Sequence, residues 1–264
     1  MAEGLAGLAA AVDLPLWALS AAVLITLFAG FVKGAVGFAM PLVMISGFTA
    51  FLPPHQALAG LILPTVVTNV SQAFRQGVPA ACASVVTYRR FIVATLVMLV
   101  MSAQFVDDLP QSAFLLLLGV PITAFAALQL SGVPLALRLE HQTRAEWALG
   151  VIGGLYGGIS GIWGPPLLVY LLSTGVGKVE TVRAQGVVFL LGAIVLFVAH
   201  LGTGLLAGPT LAFSALMVIP AMIGQQFGLY VQNRLDQSRF RHWTQILLVI
   251  TGANLIRQAI AGLL

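Results

Sequence analysis

Gly30-Phe-Val-Lys-Gly-Ala-Val-Gly-Phe-Ala-Met-Pro41 and Gly154-Leu-Tyr-Gly-Gly-Ile-Ser-Gly-Ile-Trp-Gly-Pro165 share one pattern, Gly-x-x-x-Gly-x-x-Gly-x-x-x-Pro. Adding 124 to Gly30, Gly34, Gly37 and Pro41 gives Gly154, Gly158, Gly161 and Pro165. A second pair, Leu109-Pro-Gln-Ser-Ala-Phe114 and Leu235-Asp-Gln-Ser-Arg-Phe240, matches at an offset of 126. Two landmarks at nearly one offset mark a duplicated chain. Glycine lets backbone approach backbone or ligand, and proline opens a helix by removing an amide donor. Each stretch therefore reads as a helix broken in its middle.

The surroundings of these breaks are apolar. Of 264 residues, 59% are hydrophobic and only 8% charged, and the mean hydropathy is +1.03. A soluble domain carries roughly a quarter of its residues charged. The 12 basic and 8 acidic side chains cluster between long apolar runs, each near the roughly 20 residues that cross about 30 Å of hydrocarbon as helix. The runs are continuous rather than alternating, which favours helices over a barrel. A broken run spans Pro15–Leu52, followed by His55–Phe74, Arg89–Val106 and Gln111–Gly132. After the polar connector Arg138–Glu146 come a second broken run, Trp147–Gly177, and then Thr181–Thr203, Thr210–Asn233 and Phe240–Leu263. The expected architecture is an all-α integral membrane protein with an N-terminal repeat (1–137), a connector (138–146) and a C-terminal repeat (147–264). Each repeat is a broken helical hairpin plus three full transmembrane helices. Glu3 and Asp13 ahead of the first run leave it without the basic flank of a signal peptide, so that run is expected to be retained.

Charge sets the relative orientation of the halves, because cytoplasmic loops carry the excess Lys and Arg. Arg75, Arg89 and Arg90 place one loop of the first half inside, while its counterpart Gly204–Pro209 is uncharged. The next pair reverses: Asp107 and Asp108 lack a basic neighbour, whereas Arg234, Arg239 and Arg241 crowd the matching loop. Opposite signs at matched loops predict inverted repeats. With the connector (Arg138, Arg144) and the Lys178–Arg183 loop both inside, Trp147–Gly177 must enter and leave on one side. Its 31 residues reach only about 46 Å as helix, which suits a hairpin that dips in and returns. Pro15–Leu52 is longer, and either a hairpin or two short full crossings fits it.

Open backbone in lipid is tolerated only where protein or a watery cavity satisfies it, and free amides at a half-helix N-terminus favour an anion. Gly34, Gly37, Pro41, Gly158, Gly161 and Pro165 are therefore candidate substrate contacts; close helix packing through small residues is the competing use. No segment supplies a soluble basic patch, which argues against nucleic acid as a partner. Cys82 is the single cysteine, which excludes an internal disulfide and a cysteine metal cluster. No nucleophile, acid or metal group converges at helix depth, so no enzyme activity, catalytic residue, metal or cofactor is expected.

The paired glycine and proline stretches resemble the signature of the sulfite exporter TauE/SafE family. Length, twofold repeat and apolar character agree over nearly the whole chain. The resemblance implies export of sulfite or a small organosulfonate, such as sulfoacetate or sulfolactate, across the inner membrane of a bacterial cell. The first copy departs from the second by carrying Lys33 where the other has Gly157.

A sulfonate is anionic at any physiological pH and favours cationic or amide donors. Lys33 lies at the first break, where a charge is costly unless it has a task or snorkels; a loop lysine marking the cytoplasmic side is the alternative. Arg183 opens the helix after the second hairpin, within reach of its mouth, and positive-inside anchoring is its plainer role. Thr65, Thr68, Asn69 and Gln72 share one helical face. Gln185 lies one turn into its helix, with His200 near the far end. Asn and Gln in a membrane need partners, either another helix or a ligand, so Thr65, Asn69, Gln72 and Gln185 join the candidate site. Trp163 and Tyr170 are candidates to wall it, with interfacial anchoring the plainer role for such rings. None of the acids falls in mid-helix, which gives proton coupling little support. An inside-negative potential already drives an anion outward, by about 2.3 kcal/mol per charge per 100 mV. The expected protein is a secondary transporter with a small anion and the lipid bilayer as partners. An anion channel, a carrier of another small organic anion, and a homodimeric state remain alternatives.

Overall fold

The computed structural model describes residue 7 and residues 11–106, 109–133, 136, 140–231 and 237–262; Glu3, Asp107, Asp108, Arg138, Arg234 and Asp236 lie outside the described residues. Within them the chain forms eleven helices and no strand. The first half holds α1 (Leu16–Val36), α2 (Met40–Phe48), α3 (Pro54–Ala73), α4 (Val78–Thr87), α5 (Arg89–Ala103) and α6 (Gln111–Leu130). The second holds α7 (Gln142–Ser160), α8 (Gly164–Ser173), α9 (Lys178–Gly202), α10 (Pro209–Val231) and α11 (Gln237–Ala261).

Among the described residues five helices, α1, α6, α9, α10 and α11, are each long and apolar enough to cross a membrane. Here the first half departs from the expected three full helices. Only α6 qualifies among its last three long helices. The polar face Thr65, Thr68, Asn69 and Gln72 dilutes the hydropathy of α3, which is apolar enough for a span only together with α4, at a bend of 106°. The 15 residues of α5 reach only about 22 Å. The segment read as a loop between Arg75 and Arg89 contains α4, and the Lys178–Arg183 segment is the first turns of α9. Likewise α7 begins at Gln142, inside the expected connector. The surface is the reverse of a soluble protein. Leu24, Ile219, Ile223 and Phe227 are exposed, while Lys33, Asn69, Gln72, Gln185 and Gln225 are buried.

The breaks fall where the glycines place them. Gly37 (φ 94°) and Gly161 (φ 71°) adopt the left-handed conformation that ends α1 and α7, which side chains resist and glycine does not. Their N–H groups donate to Lys33 O and Gly157 O, each at 2.7 Å. Pro41 and Pro165 then sit in the first turns of α2 and α8, where a missing amide costs nothing. Helices of 9 and 10 residues reach only about 15 Å, so α2 and α8 do not cross a bilayer. The first hairpin returns to its starting end, for the rings of Trp17 and Phe51 meet at a tilt of 54° with centroids 5.7 Å apart.

Gly30, Gly34, Gly154 and Gly158 do a different job. A Cβ on Gly30 or Gly34 would overlap the carbonyl oxygen of Ala221 or Gln225 on α10, and one on Gly154 or Gly158 that of Thr95 or Leu99 on α5. Adding 126 to Thr95 and Leu99 gives Ala221 and Gln225, the offset already seen in the second pair of stretches. The long limb of each hairpin thus packs against a helix of the other half, α1 on α10 and α7 on α5. α3 packs on α9, and α6 on α11. Pro64 inside α3 interrupts the helical ladder, and nearby the Leu63 N–H is bonded from α10, donating to Ser214 Oγ at 3.1 Å.

At one end of the bundle three polar segments meet. Tyr88 donates to Glu180 at 2.9 Å, Arg90 pairs with Glu146 at 3.5 Å, and Arg183 donates to Ser84 and Gln76, each at 2.9 Å. Glu146 and Glu180 flank the α7–α8 hairpin, so that hairpin begins and ends beside Tyr88 and Arg90. Glu146 is only 4% exposed at its side chain against 43% for Arg90. Arg90→Ala is therefore expected to lower stability by about 1–2 kcal/mol, the low end for leaving a buried polar group without its partner. Thermal melting of the detergent-solubilised protein measures it, with Arg90→Ala/Glu146→Leu recovering most of the loss. Wild-type melting in Arg90→Ala would mean that water already satisfies the carboxylate.

Candidate functional site

The two breaks face one another across a cavity of about 30 Å³. Lys33, Phe38, Ala39, Pro41 and Leu42 come from the first break, and Gly161, Ile162, Trp163 and Gly164 from the second. Thr65 and Asn69 on α3 and Phe189 on α9 complete the lining. Ala39 takes a left-handed conformation (φ 78°), unusual for a residue with a side chain. That strain sits at the turn that aims α2 away from the cavity.

Lys33 carries the charge. It is 2% exposed and its ammonium donates to Thr68 Oγ1 at 2.9 Å and to Asn69 Oδ1. No carboxylate among the described residues pairs with it. Its stem belongs to the last turn of α1, where a cation complements the helix dipole. Holding Asn69 by its oxygen turns the amide so that Nδ2 is a buried donor with no protein partner. The indole Nε1 of Trp163 is likewise unpartnered, but it lies against Gly192 on α9. The helices α2 and α8 both start at the cavity without a side-chain cap, and their first-turn amides have no intrahelical partner. Prolines remove some of these donors, leaving Met40 and Leu42 on α2 and Gly164 on α8. An ammonium, a free amide and helix N-termini around one small space are the kinds of donor that an anion takes.

Of the residues singled out in the sequence, Lys33, Pro41, Thr65, Asn69, Gly161 and Trp163 line this cavity. Gln72 stands behind it, donating to Gly37 O at 3.0 Å and Val182 O at 3.1 Å, and so ties the first break to α3 and α9. Pro165 follows the lining residue Gly164 in α8. Gly34 and Gly158 lie in the helix contacts with α10 and α5. Gln185 is buried on α9 outside the lining, at 2% exposure. Arg183 is held by Ser84 and Gln76 at the end of the bundle. Tyr170 lines a separate polar cavity there with Tyr88, Arg90, Glu146 and Glu180. Burial, then the Glu180 hydrogen bond, raises the Tyr88 phenol above its ordinary range, so it stays a donor. Sequence reasoning missed Phe38, Ala39, Leu42, Ile162, Gly164 and Phe189. Phe189 was within reach, since adding 124 to Thr65 arrives at it.

A family model described as Sulfite exporter TauE/SafE matches residues 22–255. Neither a curated protein nor a solved structure matches the chain. The match takes in every lining residue of the cavity and nearly the whole helical bundle, and the chain belongs to that family. It is thereby a multi-pass membrane protein of a family that transports sulfite- or sulfonate-type anions.

Proposed function

From that membership, we propose that the chain is a secondary carrier that exports a small sulfonate-type anion from a bacterial cell through the inner membrane. Residues 1–137 and 147–264 act as inverted repeats, and alternating access arises from rocking of the pair α1–α10, which takes one helix from each repeat, against the pair α7–α5 around the central cavity. The observation that carries this reading is the buried Lys33 ammonium, without a carboxylate partner among the described residues, beside the free Nδ2 of Asn69. A charge buried among membrane helices is costly, and a substrate or ion pathway is one use that offsets it. Lys33, Asn69 and the amides of α2 hold the anion, Thr65 and Trp163 border it, and Gly161 and Pro41 keep the breaks open.

Two features favour a carrier over an open channel. A cavity of about 30 Å³ has room for roughly two waters, so substrate reaches it only when the hairpins and their neighbours move. The crossed packing of α1 on α10 and α7 on α5 supplies two like rigid pairs that such a motion needs. The membrane potential suffices to drive export, and no carboxylate lines the cavity for a proton to ride on.

Counterflow in proteoliposomes tests the proposal. Labelled sulfoacetate and labelled ethanesulfonate are each loaded, and at least one is expected to exchange saturably against unlabelled sulfonates and sulfite, and weakly against sulfate. Flux that rises linearly with concentration and shows no counterflow would make the protein a channel. No flux of any of these anions through folded protein would remove the sulfonate assignment.

A further inference from the structure

The two halves bring opposite chemistry to the cavity. The offset of 124 that relates the breaks also relates α3 to α9: Gly37 packs against Val182, and Gly161 packs against Leu58. Under it Lys33 corresponds to Gly157, Ala39 to Trp163, Thr65 to Phe189, Thr68 to Gly192 and Asn69 to Ala193. Every polar member of the first set has an apolar counterpart. The exchange is also one of volume. In the first half, Lys33 reaches Thr68 at 2.9 Å, beside the small Ala39. In the second, the indole of Trp163 lies between Gly157 and Gly192, whose added Cβ atoms would come within 2.9 Å and 2.6 Å of the ring. The indole thus fills the space that Lys33 and Thr68 fill in the other half. Phe189 stands edge-on to it, with centroids 6.3 Å apart and planes at 81°. The helix start on this side is also poorer in donors, since Pro165 and Pro166 remove two amides from α8.

We infer that the transported anion is a monoanion with an apolar organic tail, its head on Lys33 and Asn69 and its tail on Trp163 and Phe189. This rests on the carrier reading and narrows its substrate. A bare inorganic anion loses its hydration against the aromatic wall and gains nothing there. A second charge on the tail, as in sulfoacetate, meets the same wall, and the ammonium of an aminosulfonate meets no carboxylate and the field of Lys33. The inverted repeat is thereby a device for an amphipathic substrate: one copy was given the charge and the other the ring.

Titration calorimetry of the full chain in detergent tests this with sulfite, methanesulfonate, ethanesulfonate, 1-propanesulfonate, sulfoacetate and taurine. Affinity is expected to rise roughly fourfold for each methylene buried against the rings, with sulfoacetate and taurine below 1-propanesulfonate. Phe189→Thr, which copies the first half's residue, is expected to flatten the rise, its loss of affinity growing along the series and smallest for methanesulfonate. If that variant does not fold, Phe189→Leu serves, with a reduced slope. A flat wild-type series, or sulfoacetate binding tightest, overturns the inference and leaves the anion carrier standing. Binding of none of these anions to folded protein overturns the carrier reading and this inference with it.

Discussion

Lys33→Met is expected to cut anion affinity roughly ten- to 150-fold, from about 1.5–3 kcal/mol for a hydrogen bond to a charged group. The same variant is expected to melt at or above the wild-type temperature. Lys33 is 2% exposed, and no described carboxylate offsets its burial, so the ammonium is a cost that the folded protein bears without the ligand. Methionine fills similar volume and removes that cost, which exceeds the about 1–3 kcal/mol for leaving Asn69 Oδ1 without its donor, while Thr68 keeps its bond to Pro64 O at the neighbouring turn. Activity and stability thus move in opposite directions, as at other sites kept strained for function. Calorimetry with a sulfonate and thermal melting of the same preparation measure both. Wild-type affinity would remove Lys33 from the site. A large fall in melting temperature would make it a structural strut between α1 and α3 instead.

The second large effect concerns folding. Gly34→Ala and Gly158→Ala are each expected to destabilise the protein by about 3 kcal/mol, the upper part of the usual range for overpacking. Their added Cβ atoms would overlap backbone of the opposite helix, Gln225 O in one case and Leu99 O in the other. A side chain can rotate away; a carbonyl inside a helix cannot without moving the helix. The two losses are expected to match within about 1 kcal/mol, because the contacts are built alike in the two halves. Gly202→Ala is the control, since a Cβ there meets nothing within 4 Å. Folded yield on size exclusion and thermal melting report the outcome. Wild-type behaviour of both variants would mean that the helix pairs slide freely, and the rigid-pair basis for alternating access would fail with them.

These glycines also show where reading a sequence stops. The stretches Gly30–Pro41 and Gly154–Pro165 announce a broken helix twice, and Gly37 and Gly161 do end α1 and α7. Four other glycines in the same stretches press helices together instead, and nothing in the pattern separates the two uses. Polar face and depth were legible on α3, because 65, 68, 69 and 72 obey one helical period and all four residues are buried. Helix α4 was not legible: at 10 residues it falls below the length at which an apolar run signals a span, and the flanking arginines read as a loop. Arg183 was read by its charge and neighbourhood, yet Ser84 on α4 claims it. Glu146 looked like part of a polar connector, and burial beside Arg90 makes it part of the bundle.

The sequence by itself determined that the chain is a helical membrane protein and where its hairpins break. Those properties follow from local rules: the length of an apolar run, a missing proline amide, the left-handed turn that glycine permits. Only the tertiary structure decided that Lys33 meets Thr68 and Asn69, that Trp163 lies between Gly157 and Gly192, and that Thr65 and Phe189 border one cavity. A helical period tells which face a residue occupies. It does not tell which helix lies across from that face, and the chemistry of this site depends on that pairing.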